Sequence, residues 1–388
     1  MTRPTLGPAL DLTLTGARVL RPGGFDGGAL SVSGGVIADA PAGRQVDLTG
    51  CLVLPGLIDV HGDGFERHMA PRRGALREAE NGVIATAAEL AVNGITTGVM
   101  AQFFSWEGGL RSPEFAASVF GAVGAVRDSL PVDLQLQLRL ETHMMDDFPQ
   151  VLDMVAAHDI SYVVLNDHLP HKRLSEGRKP PRLTGQALKS GRSPEKLLAL
   201  MQGLHARSSE VPEAVAALCQ RLTARGVRLG SHDDHTAEVR ADWRAMGVHV
   251  SEFPETFEAA SAARQGGDAV VLGAPNVVRG ASHAGNASAT ELVREGLCDA
   301  LASDYHYPAM RQAVWRLVEQ DILTLQDAWA LVSSGPARVL GLTDRGVLEQ
   351  GKRADLLVLD ADTRRVGAVI SGGHIAYLTG RIAARFLG

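Results

Sequence analysis

The chain has 388 residues, 45% of them hydrophobic and 21% charged, with a formal net charge of −6. This is the composition of a globular protein, too long for one compact unit of ~150 residues and suited to one barrel plus a small extra domain. The acidic balance excludes a global field for nucleic acid, and no apolar run approaches the ~18 residues of a spanning helix, which excludes a membrane partner.

From the N-terminus, Met1-Thr2-Arg3-Pro4 opens no apolar signal region, so no secretory leader is expected. Short alternating segments broken by glycines follow: Leu12-Thr13-Leu14, Ala17-Arg18-Val19-Leu20, Leu30-Ser31-Val32 and Val36-Ile37. They predict small strands joined by tight turns. The C-terminal end repeats the pattern in Asp355–Leu359 and Val366–Ile370. Two β-rich ends around an α/β middle predict one small β-sandwich domain built from both termini, residues 1–52 and 342–388, around a barrel at 53–341.

The stretch Leu52–Asp63 reads as a buried strand ending in His61-Gly62-Asp63. A His and an Asp two residues apart point the same way on a strand, and the glycine between them permits a close approach. The other reading is a turn with a capping Asp and a chance His. Further strands are expected at Thr96–Met100, Asp133–Leu140, Tyr162–Leu165, Val227–Gly230, Val248–Ser251, Ala269–Leu272 and Asp299–Ala302, with helical patterns between them at Gly82–Val92, Phe115–Arg127, Pro149–Ala157, Glu213–Arg225, Glu255–Arg264 and Ala289–Glu295. Eight strands with intervening helices make the count of a (β/α)8 TIM-type barrel. A doubly wound sheet is the alternative, but no dinucleotide or Walker fingerprint follows any strand.

Residues 170–193 interrupt the alternation. Seven Lys/Arg, including Lys172 and Arg173, and one Glu give 7 − 1 = +6 in an acidic chain. A solvated surface loop is one reading. Its position just past a strand end also allows it to grip an anionic substrate.

Barrel sites lie at the C-terminal strand ends. Here those ends carry His61 and Asp63; Glu141 and His143; Asp167 and His168; His232, Asp233, Asp234 and His235; Glu252; Asn276 and Arg279; and Asp304 and His306. Mixed imidazole and carboxylate donors suit Zn2+, Mn2+, Fe2+ or Ni2+ better than Ca2+ or Mg2+. Two ions ~3.5–4 Å apart would use most of these groups and supply hydroxide at neutral pH. Asp304 is positioned in sequence to take the proton as general base, and Asp233 and Asp234 to orient imidazoles. Arg279 and His283 lie in a Gly/Ser-rich loop, where they contact phosphate unless Ser282 and Asn286 merely cap a helix. Arg67, Arg72 and Arg73 reach phosphate or lie on the surface. His235 and His306 back the ligands or touch substrate, and His143 does so or packs beneath Glu141. His158, His205, His249 and His374 are read as structural. The three cysteines, Cys51, Cys219 and Cys298, are odd in number, far apart and without a CxxC pair, so neither a disulfide framework nor a cysteine zinc site is expected. A reducing, cytoplasmic setting follows.

Leu54-Pro55-Gly56-Leu57-Ile58-Asp59-Val60-His61, with Gly351-Lys352-Arg353-Ala354-Asp355-Leu356, resembles the amidohydrolase superfamily. Four further stretches resemble its diphosphatase branch of alkylphosphonate metabolism: Ser231–Asp234, Glu252–Ala260, Gly273–Asn286 and Ser303-Asp304-Tyr305 with Pro308. The resemblance implies a barrel that binds one or two divalent ions, with Zn2+ first among them. It implies hydrolysis of a ribose methylphosphonate triphosphate to the 5-phosphate and pyrophosphate, ahead of a carbon–phosphorus lyase. The implied metal shell is His61, Asp63, Glu141, His168, His232 and Asp304, with Glu141 standing where a carboxylated lysine often bridges. The segments Gly64–His68 and Leu169–Arg173 depart from better-known members. An amidohydrolase cleaving a C–N bond, or a non-catalytic protein that kept the fold, are the alternatives. The expected partner is a small phosphorylated molecule, and a homo-oligomer is left open.

Overall fold

The structure, a computed structural model, describes residues 6–70, 78–280 and 287–388. Eight parallel strands succeed one another in a single sheet in sequence order: β1 (Leu57–Gly62), β2 (Ile95–Phe104), β3 (Asp133–Glu141), β4 (Tyr162–Asn166), β5 (Arg228–His232), β6 (Val250–Glu252), β7 (Ala269–Gly273) and β8 (Ala300–Ala302). The exit of β1 pairs with the residue after Ser303 through a parallel bridge between Gly62 and Asp304, which brings the first and last strands together. The fold is a (β/α)8 barrel with a small β-sandwich domain contributed by both termini. By compactness the chain divides into two units: residues 1–100, 123–135 and 271–388, and residues 101–122 and 136–270.

In the first unit, the C-terminal strand Leu356–Asp360 pairs antiparallel with Cys51–Pro55, matching Leu357 with Leu54 and Val358 with Val53. These strands belong to a six-stranded sheet, and Leu12–Thr15 anchors a separate four-stranded one. Leu12, Val32, Val46, Val53, Leu356, Ile370 and Phe386 share one buried cluster. Each strand is too short to bury a face alone, so the two chain ends form one core.

In the second unit, β3, β4, β5 and β6 pair in register, Gln137 with Tyr162, Tyr162 with Arg228, and Gly230 with Val250. Strand β4, Tyr-Val-Val-Leu-Asn, is buried along its whole length. That near-continuous apolar reading is what a parallel strand covered on both faces requires. Two differences from expectation matter: the Leu52–Asp63 stretch is not one strand but breaks at Gly56 into Cys51–Pro55, in the six-stranded sheet, and β1 in the barrel, and β2 continues past Met100 to Phe104.

The 170–193 segment is not an open loop. It forms α1 (His171–Ser175) and α2 (Leu183–Ser190), and α3 (Pro194–Ala206) follows. Ser193 caps α3 by accepting the Lys196 amide at 3.3 Å, with Pro194 at its first turn. Leu174, Leu183 and Ala187 are buried in one cluster with Trp106, Leu169, Leu197 and Met201. Leu174 and Leu183 face inward while Leu188, Lys172, Arg173, Arg178, Lys179, Arg182 and Lys189 stay exposed.

Candidate metal and active site

The first unit positions its residues through the backbone. Asp59 precedes His61 by two positions and so points to the same side of β1. It is fully buried; its Oδ2 accepts from Ser303 Oγ at 2.5 Å and its Oδ1 from the Ser303 amide at 2.9 Å. Burial pushes the Asp59 carboxyl pKa up, against the pull of those hydrogen bonds. A Cβ on Gly62 would stand 2.6 Å from Asp59 Oδ2 and 3.1 Å from Ser303 Oγ, so only glycine fits there. The Asp304 amide donates to the His61 carbonyl at 3.0 Å, and the Asp63 amide to the Asp304 carbonyl at 2.9 Å. Three of the expected ligands, His61, Asp63 and Asp304, are thus brought together by main-chain pairing. His61 is buried; Asp63 and Asp304 are partly exposed.

Other predicted positions in this unit are engaged locally or open. Arg67 pairs with Glu89, donates to the Tyr305 carbonyl at 3.3 Å and lies over the Tyr307 ring. His306 is exposed. Asn276 and Arg279 sit on the short helix Ala274–Arg279, with the exposed Arg279 guanidinium donating to Asn276 Oδ1. His283, with Arg72, Arg73, Ser282 and Asn286, lies outside the described residues.

The second unit positions its residues through side chains. Glu141 ends β3 fully buried; its Oε2 accepts from Trp106 Nε1 at 3.1 Å and from the His168 amide at 3.1 Å, and its Oε1 pairs with His168 Nδ1. Glu107 Oε1 lies 4.0 Å from the same His168 nitrogen. Burial alone would raise the Glu141 pKa, but the His168 hydrogen bond and charge hold it below the usual range. Burial likewise opposes charge on His168, and Glu141 overrides it, so that pKa rises. One donor atom from each of Glu107, Glu141 and His168 lies within 4.8 Å of the others. Two carboxylates and an imidazole at that spacing fit a divalent cation, which would take the place of the imidazole proton.

His232 ends β5. Arg139 Nη2 donates to its Nε2 at 3.0 Å, Asp233 Oδ2 lies 3.0 Å from its Nδ1, and its ring meets Phe253 edge-on. Asp233 therefore orients an imidazole as expected. Asp234 does not: its Oδ2 accepts from Ser231 at 2.8 Å, Ser251 at 2.6 Å and the fully buried Arg240 at 3.0 Å. It braces strands β5 and β6 rather than a ligand. His235 is exposed and pairs with Glu255 at 2.8 Å. Lys172 and Arg173 project from α1 into solvent.

Three residues were given no ligand or contact role from the sequence, although Glu252 was read at a strand end. Glu107 follows β2, which runs four residues beyond the expected end; Ala101-Gln102-Phe103-Phe104, apolar except for Gln102, was the signal for the extension. Glu252 is buried and accepts from Gln137 at 2.8 Å and the Tyr162 hydroxyl at 2.7 Å. Burial, then Glu252 itself, pushes the Tyr162 pKa far up. Asp59 sat inside the first motif without being chosen. The backbone also departs from ordinary conformations at three strand exits, with φ of 60° at Asp233, 54° at Phe253 and 55° at Asp304. Such conformations cost ~1–3 kcal/mol and concentrate at functional sites.

Strand exits dense in carboxylates and imidazoles on a (β/α)8 barrel define a hydrolase of the metal-binding kind, and the chain belongs to the amidohydrolase family, whose profile matches residues 65–369. It is 35% identical over 324 residues to the alpha-D-ribose 1-methylphosphonate 5-triphosphate diphosphatase of Escherichia coli strain K12, covering 81% of this chain and 85% of that one. Among solved structures, a Xaa-Pro dipeptidase with bound methionine matches with a TM-score of 0.64 at 15% identity, over 95% of this chain and 100% of that one. The N-acyl-D-glutamate deacylase of Bordetella bronchiseptica, solved with zinc and a phosphonate inhibitor, matches at 0.60 and 16%, over 95% and 97%. At such identities these two show the fold alone. Among the described residues, no helix is long and apolar enough to cross a membrane.

Proposed function

We propose that this hydrolase cleaves the triphosphate of α-D-ribose 1-methylphosphonate 5-triphosphate, or a close analogue, to the 5-phosphate and pyrophosphate. The observation that carries the reading is the 35% identity to a diphosphatase of that name across most of both chains. The reading includes a cytoplasmic setting, phosphonate catabolism and Zn2+ as the metal. The proposed ligands are His61, Asp63 and Asp304 in the first unit, and Glu141, His168 and His232 in the second, to which Glu107 is added. Bound divalent metal supplies a water acidic enough to ionise near neutral pH and charge to offset the phosphates.

The chain's own groups do the rest. Asp304, fixed by its main-chain bonds to His61 and Asp63, accepts the proton of the attacking water. One α–β phosphoanhydride bond breaks, and pyrophosphate leaves with the bridging oxygen. Glu141, held ionised by His168 and Trp106, keeps its carboxylate ready for a cation. Lys172, Arg173 and Arg279 offer exposed positive charge to a polyanion, and an arginine can pair two phosphate oxygens at once.

The test is pyrophosphate release from the ribose triphosphate by metal-loaded and chelator-treated protein, beside an N-acyl amino acid. Triphosphate turnover that is lost on chelation supports the reading. Turnover of the amide without the triphosphate replaces it with C–N bond hydrolysis.

A further inference from the structure

The exits of β3 and β4 carry a second set of donors that none of the proposed ligands enters. His143 lies two residues past Glu141, Asp167 immediately precedes His168, and His171 opens α1. Donor atoms of these three lie within 4.8 Å of one another. His143 Nδ1 is 3.6 Å from Asp167 Oδ1, and His171 Nε2 is 2.9 Å from Asp167 Oδ2 and 3.1 Å from Oδ1. A tetrahedral ion with bonds of ~2.0–2.2 Å holds its ligand atoms ~3.3–3.6 Å apart, so small side-chain shifts would admit one.

From this geometry we infer a second divalent-metal site, with His143, Asp167 and His171 as ligands and His205 and Ser208 positioning the two imidazoles. The far nitrogens support it. A ligating imidazole normally bonds through its other ring nitrogen, which fixes its tautomer and aim. His171 Nδ1 lies 2.8 Å from His205 Nδ1 on α3, and His143 Nε2 lies 3.2 Å from Ser208 Oγ. With His171 Nδ1–H donating to His205 and His143 Nε2–H donating to Ser208, a lone pair on each ring faces Asp167. The His143–His171 and His171–His205 ring centroids are 4.9 and 5.0 Å apart with the planes tilted by 45° and 53°, so three imidazoles crowd one small space.

A carboxylate among these rings selects a cation over a phosphate. Two imidazoles and one carboxylate select Zn2+, Co2+ or Ni2+ over Mg2+ or Ca2+. His143 is buried, whereas the Asp167 and His171 side chains are 40% and 35% exposed, which leaves the site an entry from solvent. An ion here would tie the β4 exit to α1 and α3 and so fix the start of the basic segment. None of this depends on what the enzyme hydrolyses.

The experiment counts metal. Full-length protein stripped with a chelator is titrated with Zn2+ by calorimetry and with Co2+ by visible absorption, for wild type, His171→Ala, Asp167→Asn and Glu141→Gln. His171 is half-exposed and Ala keeps its helix, and circular dichroism verifies folding. Wild type should bind one equivalent more than His171→Ala or Asp167→Asn, and Glu141→Gln should retain that equivalent. His205→Phe should keep it with affinity lowered ~10–100-fold. Wild-type stoichiometry in both His171→Ala and Asp167→Asn overturns the site, as does loss of every equivalent in Glu141→Gln. A failed triphosphate assay leaves these counts untouched and bears only on the substrate.

Discussion

The two compact units hold their strand exits by different means. At β1 and β8 the chemistry-bearing residues are set by main-chain pairing, by Gly62 and by one buried carboxylate, Asp59, clasped by Ser303. At β3, β4 and β5 they are set by side chains already bonded to one another: Glu141 with His168, His232 with Asp233 and Arg139. The first arrangement does not titrate through its main-chain bonds and leaves little freedom. The second is built from carboxylate–imidazole pairs, in which a proton and a cation compete for the same nitrogen. Placement by the main chain and placement by titratable side-chain pairs are thus separated in the molecule.

The sharpest break targets the rigid exit at its reactive atom. Asp304→Asn keeps shape and main-chain bonds but removes the basic oxygen. A kcat loss of ~10²–10⁴ is expected, with KM much less affected. Near-wild-type kcat in steady-state assays would assign the proton to another group. Next comes the scaffold of the adaptable exits. Arg240 is fully buried against Asp234 and Asp268 and bonds the Ser231 hydroxyl. Arg240→Ala leaves the buried Asp234 without its cation, while Asp268 keeps Arg244, and should cost ~3–5 kcal/mol. Urea unfolding measures it, and a cost under ~1 kcal/mol would show that the network is not what braces β5 and β6.

The matching change in the rigid unit is smaller. Ser303→Ala removes the hydroxyl donor to Asp59 while the Ser303 amide remains, so ~1–3 kcal/mol is expected by the same measurement. A loss as large as that of Arg240→Ala would mean that both units rest equally on buried polar side chains.

Much of this was legible in the sequence because strand ends are punctuated. Each run of β-branched and apolar residues stops at a polar residue, so the exits of β3, β4 and β5 were read to within two residues. Reading failed where the run did not stop. Ala101–Phe104 continues β2 as residues that, with Gln102 among them, could equally begin a loop, and Glu107 went unseen. It failed again where pairing is long-range: His171 and His205 are 34 residues apart and meet only because α1 and α3 fold over one leucine cluster. Charge misled for a related reason. Seven cations in 24 residues look like open loop, yet Leu174 and Leu183 are buried beneath them. Arg192 is turned inward, donating to the Trp106 carbonyl at 2.8 Å.

That inward turn bears on the smallest predicted effect. Were the basic segment partly buried against substrate, each lost charge would cost ~1–3 kcal/mol. Lys172, Arg173 and Arg279 are exposed, and exposed ion pairs contribute ~0–1 kcal/mol each. Lys172→Ala, Arg173→Ala and Arg279→Ala should therefore each lower kcat/KM for a triphosphate by about fivefold or less and leave a neutral amide unaffected. Exposed charges are screened beyond ~8–10 Å at physiological ionic strength, so raising salt should weaken the wild type and weaken the triple variant less. Arg192→Ala should behave differently. It removes a hydrogen bond to the backbone beside Glu107, so its effect should persist at high salt. Measuring kcat/KM at two salt concentrations in these variants separates charge that meets substrate from charge that props the site. If neither salt nor the exposed-residue changes move triphosphate kcat/KM, the segment takes no part in phosphate recognition, and hydrolysis of a C–N bond becomes the better account of the enzyme.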